Sequence, residues 1–152
     1  EIMTTWNKMA AEMYLHEIPL KDWRKRIYLL FKRERYAAWN RYQQFQRAYQ
    51  ACLHANGIMN AFEYICTSDE VPKGKPEPDV YLRAARELQV EPKDVLVFED
   101  IPYGLMAGKR ANMTTCAVKD PYSEHAMEEK LKIADYYIES YYDILNGTYQ
   151  KL

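Results

Sequence analysis

The spacing of apolar positions changes character along the chain. Over residues 2–15, Ile2, Trp6, Met9 and Met13 recur at helical spacing and predict a helix, which Pro19 in "HEIPL" ends. Between Lys21 and Asn56 there is neither Gly nor Pro. Tyr36, Trp39, Tyr42, Phe45 and Tyr49 fall three or four residues apart there, one stripe along a helix. Beyond Gly57 the pattern shortens and alternates. "FEYICTS" (62–68) predicts a strand. "EPDVYLRAARELQV" predicts a helix with Pro78 near its start and Val80, Tyr81, Ala84, Ala85 and Leu88 on one face. "DVLVFED" carries the unbroken apolar run Val95–Phe98, as in a strand buried on both faces. "PYGLMAGKRAN" predicts a helix, "MTTCAVK" a strand, "SEHAMEEKLK" a helix and "ADYYIES" a last strand. Strand and helix in regular alternation imply a parallel sheet with helices packed on it.

Composition adds one anomaly to this picture. The 152 residues suffice for a core, and the net charge of −1 gives the whole chain no electrostatic claim on nucleic acid or membrane. That average conceals a basic block. Lys21 to Gln50 holds nine basic and two acidic residues, a net of +7, so the remaining residues carry −8. Basic residues interleaved with aromatics also suit a helix that binds single-stranded nucleic acid, the least favoured reading of the block. Cys52, Cys66 and Cys116 lie far apart with no CxxC pair, which speaks against zinc and redox motifs and for a reducing, cytoplasmic setting. No apolar run approaches the roughly 20 residues of a membrane helix. His16, His54 and His125 are scattered, as surface or packing residues are. The chain opens on Glu1 rather than Met, as a fragment would.

Two motifs carry candidate chemistry. In "KGKPEPD" (73–79) the prolines Pro76 and Pro78 stiffen the backbone beside Lys75, and a fixed ammonium suits a phosphate or a carboxylate pair. In "VFEDIPYG" (97–104) Glu99 and Asp100 follow directly on a buried strand. Ligands of open parallel sheets bind beyond the carboxyl ends of strands, and paired carboxylates there suit a hard cation such as Mg²⁺. Each motif alone also has a plainer reading: a solvated loop for the first, and an Asp100 N-cap on the following helix for the second.

Together, and in this order, the two motifs resemble the haloacid dehalogenase-like (HAD) hydrolase superfamily, and within it the β-phosphoglucomutase-like phosphatases. The resemblance covers about 57–145 and takes in 1–20 as the end of a helical cap and a return linker. It implies an α/β fold: an incomplete Rossmann-like parallel sheet with flanking helices, the N-terminal end of the chain coming from the cap. It implies a Mg²⁺-dependent phosphatase or phosphomutase acting on a small phosphorylated metabolite such as a sugar phosphate. Lys75 would neutralise the transferring phosphoryl group, Asp100 would bind Mg²⁺ directly, and Glu99 would be a direct or water-mediated partner. The chain departs from the pattern at Ile101, where the family often has Ser, and at Asn112, where it often has Gly before the next strand. Asn tolerates the left-handed conformation, so that turn should survive.

Two family motifs are missing. The DxDx[TV] motif, whose carboxylate becomes an aspartyl-phosphate, does not occur in this chain; by the family's order it would lie upstream of Glu1. The second motif, a Ser or Thr after a strand, should fall before residue 57, within the basic block. Thr67 and Ser68 come one strand too late. Reading the block one nucleotide later makes glycine obligatory at Trp39 and Trp23, whose single codon is followed by Asn40 and Arg24. The shifted string can then read L-K-E-R-G-M-R-L-G-I-A-T-S-N-S-R-E-L, in the image of the missing motif. Most other shifted positions allow two to four residues, so compatibility comes easily. Two readings of the block stand: out-of-frame translation of about 21–51, or a real helical insertion. The expected organisation is therefore 1–20, cap end and linker; 21–56, an aberrant basic and aromatic segment; 57–152, the C-terminal half of a HAD-like core. Without its nucleophile, the chain as given should be inactive. It should also self-associate through exposed sheet, or act as a remnant that binds metal, phosphate or a partner.

Overall fold

The computed structural model describes residues 53–66 and 70–152. The helices expected over 2–15 and along the aromatic stripe, and with them Cys52, His16, Thr67 and Ser68, lie outside these residues. The chain divides into two units, Glu1–Asp69 and Glu70–Leu152.

In the first unit, residues 53–55 are helical and end at Gly57, whose φ of +66° is one that only glycine adopts without strain. Its N–H donates to the His54 carbonyl and that of Ile58 to Leu53, closing the helix end. Leu53 and Ile58 are buried together, with Met59, Ala61, Phe62 and Ile65 packed on them. The alternating segment 62–66 is not a strand. Alternation makes a strand only where a neighbouring ladder takes up the backbone N–H and C=O groups, and these residues join none.

The second unit is an α/β sheet with the expected strand–helix order. The elements are α1 (Asp79–Glu87), β1 (Leu96–Glu99), α2 (Pro102–Arg110), β2 (Thr114–Val118), α3 (Met127–Ile133), β3 (Tyr136–Ile138), α4 (Tyr142–Asn146) and β4 (Gln150–Lys151). The sheet order is β1-β2-β3-β4. β1 pairs parallel with β2, β2 parallel with β3, and β3 antiparallel with β4. The antiparallel edge follows from chain length: a parallel return needs a crossover of a dozen or more residues, and β3 and β4 are joined by fewer.

α1 buries Val80, Tyr81, Ala84 and Ala85, the face the periodicity predicts. α2 packs on β1, β2 and α3. Gly108 in α2 is where helix and sheet come closest; a Cβ there would stand 2.7 Å from the Thr115 methyl. Leu105, Ala117, Ala134 and Tyr137 form the core on this side of the sheet. Cys116, Val118 and Ile138 form the core on the other, with Phe98, Tyr136, Tyr141 and Ile144 against them. β1 is less enclosed than its apolar run suggests, because Leu96 remains exposed. Asn112 takes φ +59° and ends α2 as expected: its N–H donates to Lys109 and that of Met113 to Gly108. Cys66 and Cys116 are both buried. Burial, reinforced by the Asp143 charge, pushes the Cys116 thiol up to about 12, so it is a packing residue.

Candidate active site

The carboxyl end of β1 gathers the two motifs. Glu99 is the last residue of β1 and Asp100 leaves the sheet directly after it. Lys75 enters from the turn before α1 and its ammonium pairs with Glu99 Oε1. Both side chains are nearly enclosed, 8% and 9% exposed, so this is not a surface ion pair held loosely in water. The turn carrying Lys75 is closed by a Glu77 N–H to Gly74 bond. Arg110, at the end of α2, fastens the same turn from outside, donating to Glu77 Oε1 at 2.7 Å and to the Pro76 carbonyl at 3.2 Å.

Glu99 has two further neighbours that the sequence did not single out. Tyr81 in α1 donates its hydroxyl to Glu99 Oε1 at 2.7 Å, and its ring centroid lies 5.5 Å from the Lys75 ammonium. The helical periodicity marks Tyr81 as a core position, and it is buried; nothing in the spacing shows that its hydroxyl ends on the acid of the next strand. Gly104 in α2 is the other neighbour. A Cβ there would stand 2.2 Å from Glu99 Cδ, so the carboxylate occupies the space a side chain would need.

Asp100 behaves differently from Glu99. It is exposed, and its carboxylate makes no hydrogen bond or ion pair among the described residues. The plain N-cap reading fails here. The N-cap of α2 is Ile101, with extended backbone (φ −122°, ψ 147°) and no side-chain capping bond. The departure at Ile101 therefore costs this helix a hydroxyl cap and leaves the Asp100 side chain uncommitted. The Asp100 backbone, by contrast, is held, its carbonyl accepting from Ser123 Oγ at 2.6 Å. His54 and His125 are exposed.

The described residues include no group of three or more His, Cys, Asp or Glu side chains able to hold a metal ion. That is compatible with Mg²⁺, which binds through one or two carboxylates and keeps the rest of its shell for water and substrate phosphate. An uncommitted carboxylate at the end of a parallel strand, with an enclosed ammonium on the neighbouring acid, fits that ion and an anionic ligand beside it.

The sequence profile of the haloacid dehalogenase-like hydrolases matches residues 43–118, half of the chain. The chain belongs to this family. The two site motifs lie inside the matched span. Among characterised sequences, it is 50% identical over 62 residues to the bifunctional riboflavin kinase/FMN phosphatase of Arabidopsis thaliana, covering 41% of this chain and 16% of that protein. It is 34% identical over 80 residues to the validoxylamine A 7'-phosphate phosphatase of Streptomyces hygroscopicus subsp. limoneus, covering 53% and 38%. The chain thus spans well under half the length of either relative. Among solved structures, CbbY from Rhodobacter sphaeroides in complex with phosphate superposes with a TM-score of 0.83 at 25% identity, covering 94% of this chain and 64% of that one. The β-phosphoglucomutase of Clostridium difficile shares the fold, with a TM-score of 0.71 at 19% identity over 96% and 62%. The HAD-type α/β fold and the membership of a family of phosphatases and phosphomutases are thereby established. No helix among the described residues is long and apolar enough to cross a membrane.

Proposed function

We propose that this chain carries the lysine-and-carboxylate half of a Mg²⁺-dependent phosphoryl-transfer site for a small phosphorylated metabolite such as a sugar phosphate. The observation that carries this reading is the enclosed Lys75–Glu99 pair set beside an uncommitted Asp100 at the end of β1. Asp100 is the direct ligand for the ion. Glu99 shares one oxygen between Lys75 and Tyr81, which makes it the residue that orients Lys75 and a direct or water-mediated partner of the metal. Lys75 faces the anionic phosphoryl group as it transfers. When bound, Mg²⁺ offsets the charge developing on phosphate oxygens.

The attacking carboxylate, which would form the aspartyl-phosphate, has no counterpart in the sequence, which contains no DxD. This polypeptide on its own therefore turns over no phosphate ester and acts as a metal- and phosphate-binding remnant. Assay with p-nitrophenyl phosphate and Mg²⁺ should give no rate above buffer; a Mg²⁺-dependent rate abolished by Asp100→Asn would contradict this. The block at 21–56 is read as out-of-frame over about 21–51, its flanks being in frame. The family match opens at residue 43, inside this block. Resequencing the gene from upstream of Glu1 through the Gly57 codon should reveal an upstream DxDx[TV] and, once one or two nucleotides are restored, a Ser or Thr motif. An intact frame through the block would make the helix genuine and remove this part of the proposal.

A further inference from the structure

Lys130 is the one lysine among the described residues whose surface is wholly buried. It sits in α3, a helix whose sequence, MEEKLKI, offers no reason to bury a charge. A buried ammonium is costly unless hydrogen-bonded. Its Nζ donates to the Val118 carbonyl at the end of β2, 3.2 Å away, and to Ser123 Oγ, 3.0 Å away. Ser123 is itself buried and passes the contact on, its hydroxyl donating to the Asp100 carbonyl at 2.6 Å. The Asp120 carbonyl lies farther from the same hydroxyl, at 3.4 Å, so the single proton goes to Asp100. The ammonium is a donor only and fills the acceptor side of the serine, which leaves the hydroxyl proton free to point at Asp100.

We propose that Lys130 is a positioning residue for the metal carboxylate, acting through Ser123 on the Asp100 peptide. The relay spans three elements: α3 supplies the cation, the turn after β2 supplies the hydroxyl, and the end of β1 receives the bond. It explains why Asp100 can leave its carboxylate uncommitted and still be fixed in place: the backbone is held from behind, and the carboxylate remains available for a ligand. α2 begins without a side-chain cap, so Ser123 is the side chain that restrains this turn. Supporting hydrogen bonds of this kind typically change metal affinity by about 10- to 100-fold when removed.

The metal arm of the inference rests on the proposed function; the backbone arm does not, and the two are read separately. Amide hydrogen exchange of Gly104 and Leu105, whose N–H groups donate to the Ile101 carbonyl, reports the Asp100 turn without any metal. In the full chain, Ser123→Ala and Lys130→Met should each speed exchange at these amides by at least about tenfold. The double variant should be no faster than either single, and Ser123→Thr, which keeps the hydroxyl, should behave as wild type. Mn²⁺ affinity, read by electron paramagnetic resonance, should fall about tenfold in Ser123→Ala and recover in Ser123→Thr. Ser123→Ala carries the test if Lys130→Met fails to fold. Unchanged exchange in folded Ser123→Ala, or additive effects in the double variant, would overturn the relay. Altered exchange with no Mn²⁺ binding in wild type would leave the relay standing and overturn the metal reading instead.

Discussion

Gly104 is the position where a single atom decides the site. Its missing Cβ makes room for the Glu99 carboxylate, the end of a side chain that Lys75 and Tyr81 hold in place. Gly104→Ala should therefore push Glu99 off Tyr81 and Lys75 and lower stability by about 1–3 kcal/mol, the usual cost of overpacking. Denaturant unfolding of the variant checks this, and an unchanged midpoint would show that Glu99 has another seat. As residues that meet at the end of β1, Lys75, Glu99 and Asp100 were legible in the sequence, because prolines and a buried strand flank them. Tyr81, Gly104, Ser123 and Lys130 were not. Their roles depend on which side chain stands opposite across 5 to 23 positions of sequence, and periodicity reports only which face of an element is buried. Lys130 is the plainest case, since a lysine among glutamates reads as a solvated helix face.

At the scale of elements, β2, α2 and β3 are joined at Asp135. Its carboxylate accepts from the Thr115 backbone N–H at 2.8 Å, from Thr115 Oγ1 at 3.1 Å and from Lys109 at 2.6 Å. Burial works to raise its pKa, but these three donors and the Lys109 charge outweigh it and hold the carboxyl below the ordinary aspartate range. The folded state thus binds this proton less readily than the unfolded chain. The resulting stabilisation is fully present above the unfolded value of about 3.9 and is lost as pH falls through the depressed folded value. Asp135→Asn should lower the thermal midpoint at pH 7 and narrow the difference from wild type below about pH 4. A pH-independent difference would place the effect in packing alone. Element order and type in the second unit were legible from apolar period and from Pro and Asn signals, down to the left-handed Asn112. The strand expected at 62–68 and the full enclosure of β1 were not, because both depend on which neighbours cover a segment. β4 escaped notice for the same reason: two exposed polar residues become a strand only because β3 lies beside them.

At the scale of the whole chain, family and fold are settled while the activity is divided. The second unit brings Lys75 onto Glu99, beside Asp100, at the end of β1, and the sequence contains no DxD. The proposed half-site should retain affinity without chemistry, because Asp100 and Lys75 are positioned by α1, α2 and the turn after β2 within the same unit. The most direct test is a Mn²⁺ titration of the whole chain by electron paramagnetic resonance, with Mg²⁺ as competitor, beside Asp100→Asn. The structure predicts one saturable site that Mg²⁺ displaces, weakened by at least about tenfold in the variant. An identical titration in the two proteins, or no binding in either, would contradict the assignment of Asp100 as a metal ligand and with it the proposed site.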